Sequence, residues 1–171
     1  MTTMTMRMSK RTFLGATGTA LCGLVAGACA RQSEAAPGMT FAVNHSDADW
    51  RRMLGPQRYP ILRQAATERA FTSPLLNEHR AGTFTCAGCA SPLFSSRTKF
   101  ESGTGWPSFW QALPGRVLTR ADHSLMMERT EVLCRRCGGH LGHVFDDGPR
   151  PTGKRFCMNG LALKFAPGAA A

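Results

Sequence analysis

Apolar residues change their spacing partway along the chain. Ser46-Asp47-Ala48-Asp49 has the composition of a helix N-terminus, and Trp50, Met53 and Leu54 follow at helical spacing. Pro56 suits the first turn of a second helical segment that runs through Ile61 and Leu62. From Gly82 onward glycine and proline recur at short intervals, with aromatic and β-branched residues clustered between them. That pattern predicts strands at Thr83–Thr85, Leu93–Phe94, Val117–Arg120, Met126–Leu133, His143–Phe145 and Phe156–Phe165, the last broken near Gly160. The expectation is a short helical cap followed by a mainly β, mostly antiparallel domain.

The first thirty residues follow neither pattern. Residues 1–11 are basic and free of acids, and Phe13 to Ala30 is a mildly apolar Gly/Ala-rich stretch ending in Ala28-Cys29-Ala30. This is the layout of an export leader, set aside from the fold. Ser9-Lys10-Arg11-Thr12-Phe13-Leu14 resembles a twin-arginine signal with lysine in place of the first arginine. Val25-Ala26-Gly27-Ala28-Cys29 resembles a lipoprotein cleavage box, so Cys29 is either lost with the leader or kept as a lipid attachment point. The expected layout is a signal peptide over 1–30, a polar linker over 31–45, a catalytic domain over 46–166 and a tail over 167–171. The expected location is outside the cytoplasm of a bacterium, in the periplasm or anchored to a membrane.

Composition narrows the rest. The chain has 171 residues, 43% hydrophobic and 19% charged, which excludes a wholly disordered protein. No apolar run is long enough for a bilayer-spanning helix. The net charge is +10, but Arg7, Lys10 and Arg11 of the leader contribute to it and the remaining cations are scattered. No nucleic-acid partner is expected.

Cysteine carries the chemistry. Apart from Cys22 and Cys29 of the leader, five remain. Cys86-Ala87-Gly88-Cys89 and Cys134-Arg135-Arg136-Cys137 are two CxxC knuckles separated by 44 residues. Four thiolates fill the tetrahedral shell of one structural zinc ion, and Gly88, Gly138 and Gly139 suit a tight turn toward it. The alternative is a pair of redox-active or disulfide-bonded motifs. Cys157 is left over, in Arg155-Phe156-Cys157-Met158-Asn159. A lone cysteine is often a small buried hydrophobe. Here Arg155, two residues away and on the same strand face, would favour the nucleophilic thiolate. His140 and His143 follow the second knuckle and read as a general acid and a donor that orients substrate. Ser102-Gly103-Thr104-Gly105-Trp106-Pro107-Ser108-Phe109-Trp110 is a glycine-rich loop able to hold an aromatic ring at an apolar pocket, where ordinary core packing is the plainer use.

Together these stretches resemble the methionine-R-sulfoxide reductase family of the MsrB type, over about Asp49 to Phe165. The resemblance rests on Thr67-Glu68-Arg69-Ala70-Phe71-Thr72, both knuckles, Lys99 to Phe109, Arg129-Thr130-Glu131-Val132, Cys137 to Pro149, and Pro151 to Asn159. It implies two antiparallel sheets with short N-terminal helices, pinned by one structural zinc at Cys86, Cys89, Cys134 and Cys137. It implies reduction of the R epimer of methionine sulfoxide, mainly in proteins and peptides. The family's nucleophile falls on Cys157, its histidines on His143 and His140, and its supporting residues on Asp147, Arg155 and Asn159. The substrate-binding residues fall on Trp106 and Phe145. Many members carry a recycling cysteine at the position of Thr104. Its absence here implies that a Cys157 sulfenic acid is regenerated by an external thiol, a thioredoxin-like protein or another dithiol. Gly160, where serine is usual, and Met126-Met127-Glu128, where Gly-Met-Val is common, are smaller departures with local effects.

Overall fold

A computed structural model describes residues 39–124 and 127–171. The leader over 1–30 and Cys29 lie outside the described residues, as do 31–38 of the expected linker. Within 39–45 the chain already packs on the domain: Val43 N–H donates to Arg136 O at 2.9 Å, and the Phe41 ring closes on Gly138.

Helix α1 (Asp47–Gln64) is two helical segments meeting at Gly55, whose φ of 66° and ψ of −178° are not helical. Ser46 caps the first segment, its Oγ accepting from Asp49 N at 3.1 Å. Pro56 opens the second segment, where its missing N–H costs no helical hydrogen bond. Trp50, Leu54, Tyr59, Ile61 and Leu62 are buried along α1. Met53, expected on the buried side, is 52% exposed. The helix rests on Trp50 and Leu54, four residues apart, and Met53 falls off that line.

Among the described residues nine strands follow: β1 (Gly82–Cys86), β2 (Pro92–Ser95), β3 (Lys99–Phe100), β4 (Ser108–Phe109), β5 (Val117–Asp122), β6 (Arg129–Cys134), β7 (His140–Phe145), β8 (Arg155–Met158) and β9 (Leu163–Pro167). They form two sheets, ordered β2-β1-β9 and β3-β4-β8-β7-β6-β5, with every pairing antiparallel. The expected strand from Met126 begins instead at Arg129; Met127 and Glu128 precede it, and Leu125 and Met126 lie outside the described residues. The expected break near Gly160 is a 3-10 turn, Gly160–Ala162, which passes the chain from β8 in one sheet to β9 in the other.

The core lies where the sheets meet. Phe84 of β1 and Phe94 of β2 come from the smaller sheet, and Phe109 of β4 comes from the larger. Phe94 and Phe109 stack with centroids 4.4 Å apart, and Phe84 meets Phe109 edge-on at 4.9 Å. All three are fully buried, worth about 2–3 kcal/mol each in removed apolar surface. Leu62 of α1, Leu141 of β7, Met158 of β8 and Leu163 of β9 extend this core toward the helix. Among the described residues no helix is long and apolar enough to cross a membrane.

Candidate active site

The two knuckles sit at strand ends in different sheets. Cys86 ends β1 and Cys134 ends β6. Their turns are alike: Ala90 N–H donates to Cys86 O at 2.9 Å, and Gly138 N–H donates to Cys134 O at 2.8 Å. In each, the residue after the second cysteine has positive φ, 57° at Ala90 and 69° at Gly138. Gly88 lies within the first turn but without a positive φ, and a Cβ there would stand in ordinary contact with the sulfurs of Cys86 and Cys137.

The four sulfurs lie within 4.8 Å of one another, with Cys86–Cys137 at 3.7 Å and Cys89–Cys134 at 3.6 Å. None is in a disulfide. A tetrahedral ion with metal–sulfur bonds of about 2.3 Å requires sulfur–sulfur edges of roughly 3.8 Å. The residues present therefore fit a metal ion. Hydrogen bonds from Cys137 and Cys86 hold the Cys134 thiol down, while hydrogen bonding to Cys134 pushes Cys86 up. Four sulfurs that bind a metal do so as thiolates, and in a mostly buried site the cation offsets their charge. An ion here ties the smaller sheet to the larger.

A second site forms where β7 and β8 lie side by side. Cys157 of β8 is half-buried and pairs across the sheet with His143 of β7 on one side and Ser108 of β4 on the other. Directly opposed residues face the same way, so these side chains share one face. Gly142 makes the close approach possible. A Cβ there would stand 2.1 Å from Cys157 O, and its φ is 154°.

Cys157, His143, Trp106, Phe145, Asn159, Arg129, Gly142 and Thr67 line a cleft of about 120 Å³. Trp106 is held by its indole N–H, which donates to Glu68 O at 2.9 Å. Asn159 Oδ1 accepts from Glu68 N at 2.8 Å, and its Nδ2 donates to Leu141 O at 3.2 Å. Arg155 forms a two-pronged pair with Asp147, Nε–Oδ1 and Nη2–Oδ2 both at 2.8 Å, and lies 4.4 Å above the Phe145 ring. The Asp147 hydrogen bonds raise Arg155 further above its ordinary value, and the adjacent Cys157 adds to the effect. Arg155 and Asp147 are drawn together, but neither lines the cleft.

The two histidines differ. His143 lines the cleft, and its Nε2 lies 2.8 Å from Asp122 Oδ2. Burial pushes His143 below its ordinary value, against the opposite pull of Asp122. For Asp122, burial acts against its charge, but the Ser124 backbone and hydroxyl, His143 and Arg129 together hold its carboxyl far below the usual range. His140 is 3% exposed and stands behind, 5.5 Å from His143 between ring centroids. Its Nδ1 meets Glu131 Oε1 at 2.6 Å, and Arg120 holds the other carboxylate oxygen.

Four residues of this site had no role assigned from the chain, although Glu68, Arg129 and Glu131 lie within the stretches that carry the resemblance. Asp122 and Glu131 each hold a histidine, Arg129 joins Asp122 through Nη2 at 2.8 Å, and Glu68 braces Trp106 and Asn159. Glu68 also accepts from Gly160 N at 2.5 Å and Leu161 N at 3.2 Å. A side chain at position 160 would require Ser73 to move, because Ser73 Oγ would lie 1.8 Å from a Cβ there. The signal available for the two acids was general: a buried histidine needs a partner, and a carboxylate is the common one.

Residues 54–167 match the SelR domain. The chain is 56% identical over 128 residues to the peptide methionine sulfoxide reductase MsrB of Leptospira interrogans, covering 74% of this chain and 98% of that protein. It is 53% identical over 125 residues to the protein of the same name from Methanosarcina barkeri, covering 72% and 88%. Against that of Agrobacterium fabrum it is 53% identical over 126 residues, covering 73% and 93%. With its two antiparallel sheets, its four-sulfur cluster and these similarities over most of its length, the chain belongs to the MsrB family of SelR-domain proteins.

Proposed function

We propose that this chain is a peptide-methionine (R)-S-oxide reductase whose nucleophile is Cys157. The observation that carries the reading is that Cys157, His143 and Trp106 line one small cleft. The similarity to proteins named peptide methionine sulfoxide reductase supports it.

In this reading Trp106 and Phe145 receive the methyl group of the substrate and distinguish the epimers by shape. The sulfoxide sulfur is a poor electrophile until its oxygen gains a proton. His143 supplies that proton. Asp122, as a carboxylate, accepts from Nε2–H, which leaves Nδ1 for exchange with the substrate. His140 fixes the ring from behind, and Asn159 holds the wall that faces the sulfoxide. Arg155, set by Asp147, favours the Cys157 thiolate.

The thiolate, the sulfoxide and one proton give methionine and Cys157 sulfenic acid. Oxygen passes from one sulfur to the other, so methionine is reduced and the cysteine oxidised. Among the described residues the other four cysteines belong to the metal cluster. Regeneration therefore takes two external thiols. The first displaces water to form a mixed disulfide. The second releases the Cys157 thiol and leaves the reductant as its disulfide.

The ion held by Cys86, Cys89, Cys134 and Cys137 is zinc in this reading; four sulfur ligands leave no open position, so it supplies folding and no reaction step. The leader carries the domain to the periplasm, with Cys29 either removed or lipid-bearing. A peptide assay on separate R and S methionine sulfoxide epimers tests the activity. Turnover of R alone, lost in Cys157→Ser, is expected; equal rates on both epimers contradict the reading.

A further inference from the structure

The loop before β4 brings a chain of hydroxyl groups to the sulfur of Cys157. Thr104 Oγ1 lies 3.7 Å from Cys157 Sγ. Ser102 Oγ is 2.8 Å from Thr104 Oγ1 and 2.7 Å from Ser108 Oγ. Ser108 Oγ donates to Trp106 O at 3.1 Å. Ser108 is 1% exposed, and its pairing with Cys157 across β4 and β8 fixes the base of the chain beside the nucleophile.

Each hydroxyl has one hydrogen, and this orders the chain. With the Ser108 hydrogen on Trp106 O, Ser102 donates to Ser108 and Thr104 donates to Ser102. The Thr104 oxygen then accepts from the Cys157 thiol. Once that thiol is ionised, the same order sets oxygen lone pairs against an anionic sulfur. Rotating the three hydroxyls, which moves no heavy atom, reverses the three bonds between Ser108 and the sulfur and gives up the Ser108 bond to Trp106 O. Ser108 then donates to Ser102, Ser102 to Thr104, and Thr104 to the sulfur.

We propose that Thr104, ordered by Ser102 and Ser108, is a positioning residue that hydrogen-bonds the Cys157 thiolate and raises its reactivity. The inference rests on Cys157 being the nucleophile. The charged and titratable groups around that sulfur come from elsewhere: His143 on β7, Arg155 on β8 and Arg129 on β6. The hydroxyl loop supplies a neutral donor from the opposite side. A hydrogen bond to a charged group is strong enough to change the population and rate of a thiolate about tenfold.

The test uses the metal-loaded chain and follows alkylation of Cys157 by iodoacetamide across pH, read by mass spectrometry of the Cys157 peptide. Thr104→Val keeps the shape and removes the hydroxyl; Thr104→Ser keeps the hydroxyl and removes the methyl. Alkylation of the valine variant at neutral pH is expected to be about fivefold to tenfold slower, with the difference closing at alkaline pH. The serine variant restores the rate, and KM for a sulfoxide peptide is unchanged in both. Ser102→Ala, which breaks the chain one link further back, shifts the rate in the same direction and serves if the valine variant does not fold. Wild-type alkylation in Thr104→Val, or in Ser102→Ala in its place, overturns the role of Thr104. So does a serine variant as slow as valine. Turnover that survives Cys157→Ser is a separate outcome, which removes the nucleophile reading itself.

Discussion

Nε2 of His143 lies 2.8 Å from Oδ2 of Asp122, across the intervening strand β6 of the larger sheet. Asp122 closes β5 and pairs with Arg129 at the start of β6, while His143 lies on β7. The register of three strands therefore places a carboxylate behind a cleft histidine that burial alone would keep neutral. Replacing Asp122 by Asn keeps the hydrogen bond and removes the charge that favours imidazolium.

If His143 donates the proton, turnover falls as pH rises through its ionisation, which lies below the ordinary histidine value. Asp122 raises that ionisation, so Asp122→Asn moves the fall to lower pH. Each unit of displacement removes about tenfold of the protonated form at a fixed pH above it. A pH–kcat profile of the two proteins measures the displacement. An unchanged profile assigns proton donation elsewhere.

Metal removal is expected to act on the fold before the chemistry, because the cluster joins β1 to β6 and lies apart from the residues lining the cleft. Metal analysis should give about one zinc per chain. Chelation, or Cys86→Ser, should lower Tm by at least about 10 °C. Calorimetry with and without chelator measures it. A metal-free chain of unchanged Tm contradicts the clamp.

Glu68 stabilises the site at a distance in sequence. Its carboxylate accepts from two backbone N–H groups after β8, and its own backbone holds Trp106 and Asn159. Glu68→Ala leaves buried donors without partners, at a cost of about 1–3 kcal/mol. Glu68→Gln keeps an acceptor and costs less. Urea unfolding of both variants ranks them, and a higher KM in the alanine variant marks the loosened Trp106 wall.

The metal cluster was legible in the chain because a CxxC knuckle is a local pattern, with every ligand fixed by short spacing. Strands such as β1 and β5 were legible from clustered apolar and β-branched residues between turn signals, whereas only His143–Phe145 of β7 was. By contrast, β3 and β4 have two residues each, too few to display a period of two. Yet β4 sets Ser108 against Cys157. Asp122 carried no local signal, since its meaning comes only from the register that brings it to His143. Glu68 lies 91 residues from Asn159 in sequence and in a loop, so no periodicity connects them. Met53 matched the helical spacing and still remained outside, because the spacing does not determine which side of a short, kinked helix meets the sheets.

In the proposed reaction Cys157 takes the oxygen from the substrate sulfur. A single-turnover reaction with a methionine-R-sulfoxide peptide and no reductant tests it most directly. Dimedone present in the mixture traps any sulfenic acid for mass spectrometry. One equivalent of methionine per chain, with the adduct on Cys157 alone, is the expected result. Methionine formed while Cys157 remains an unmodified thiol would contradict it.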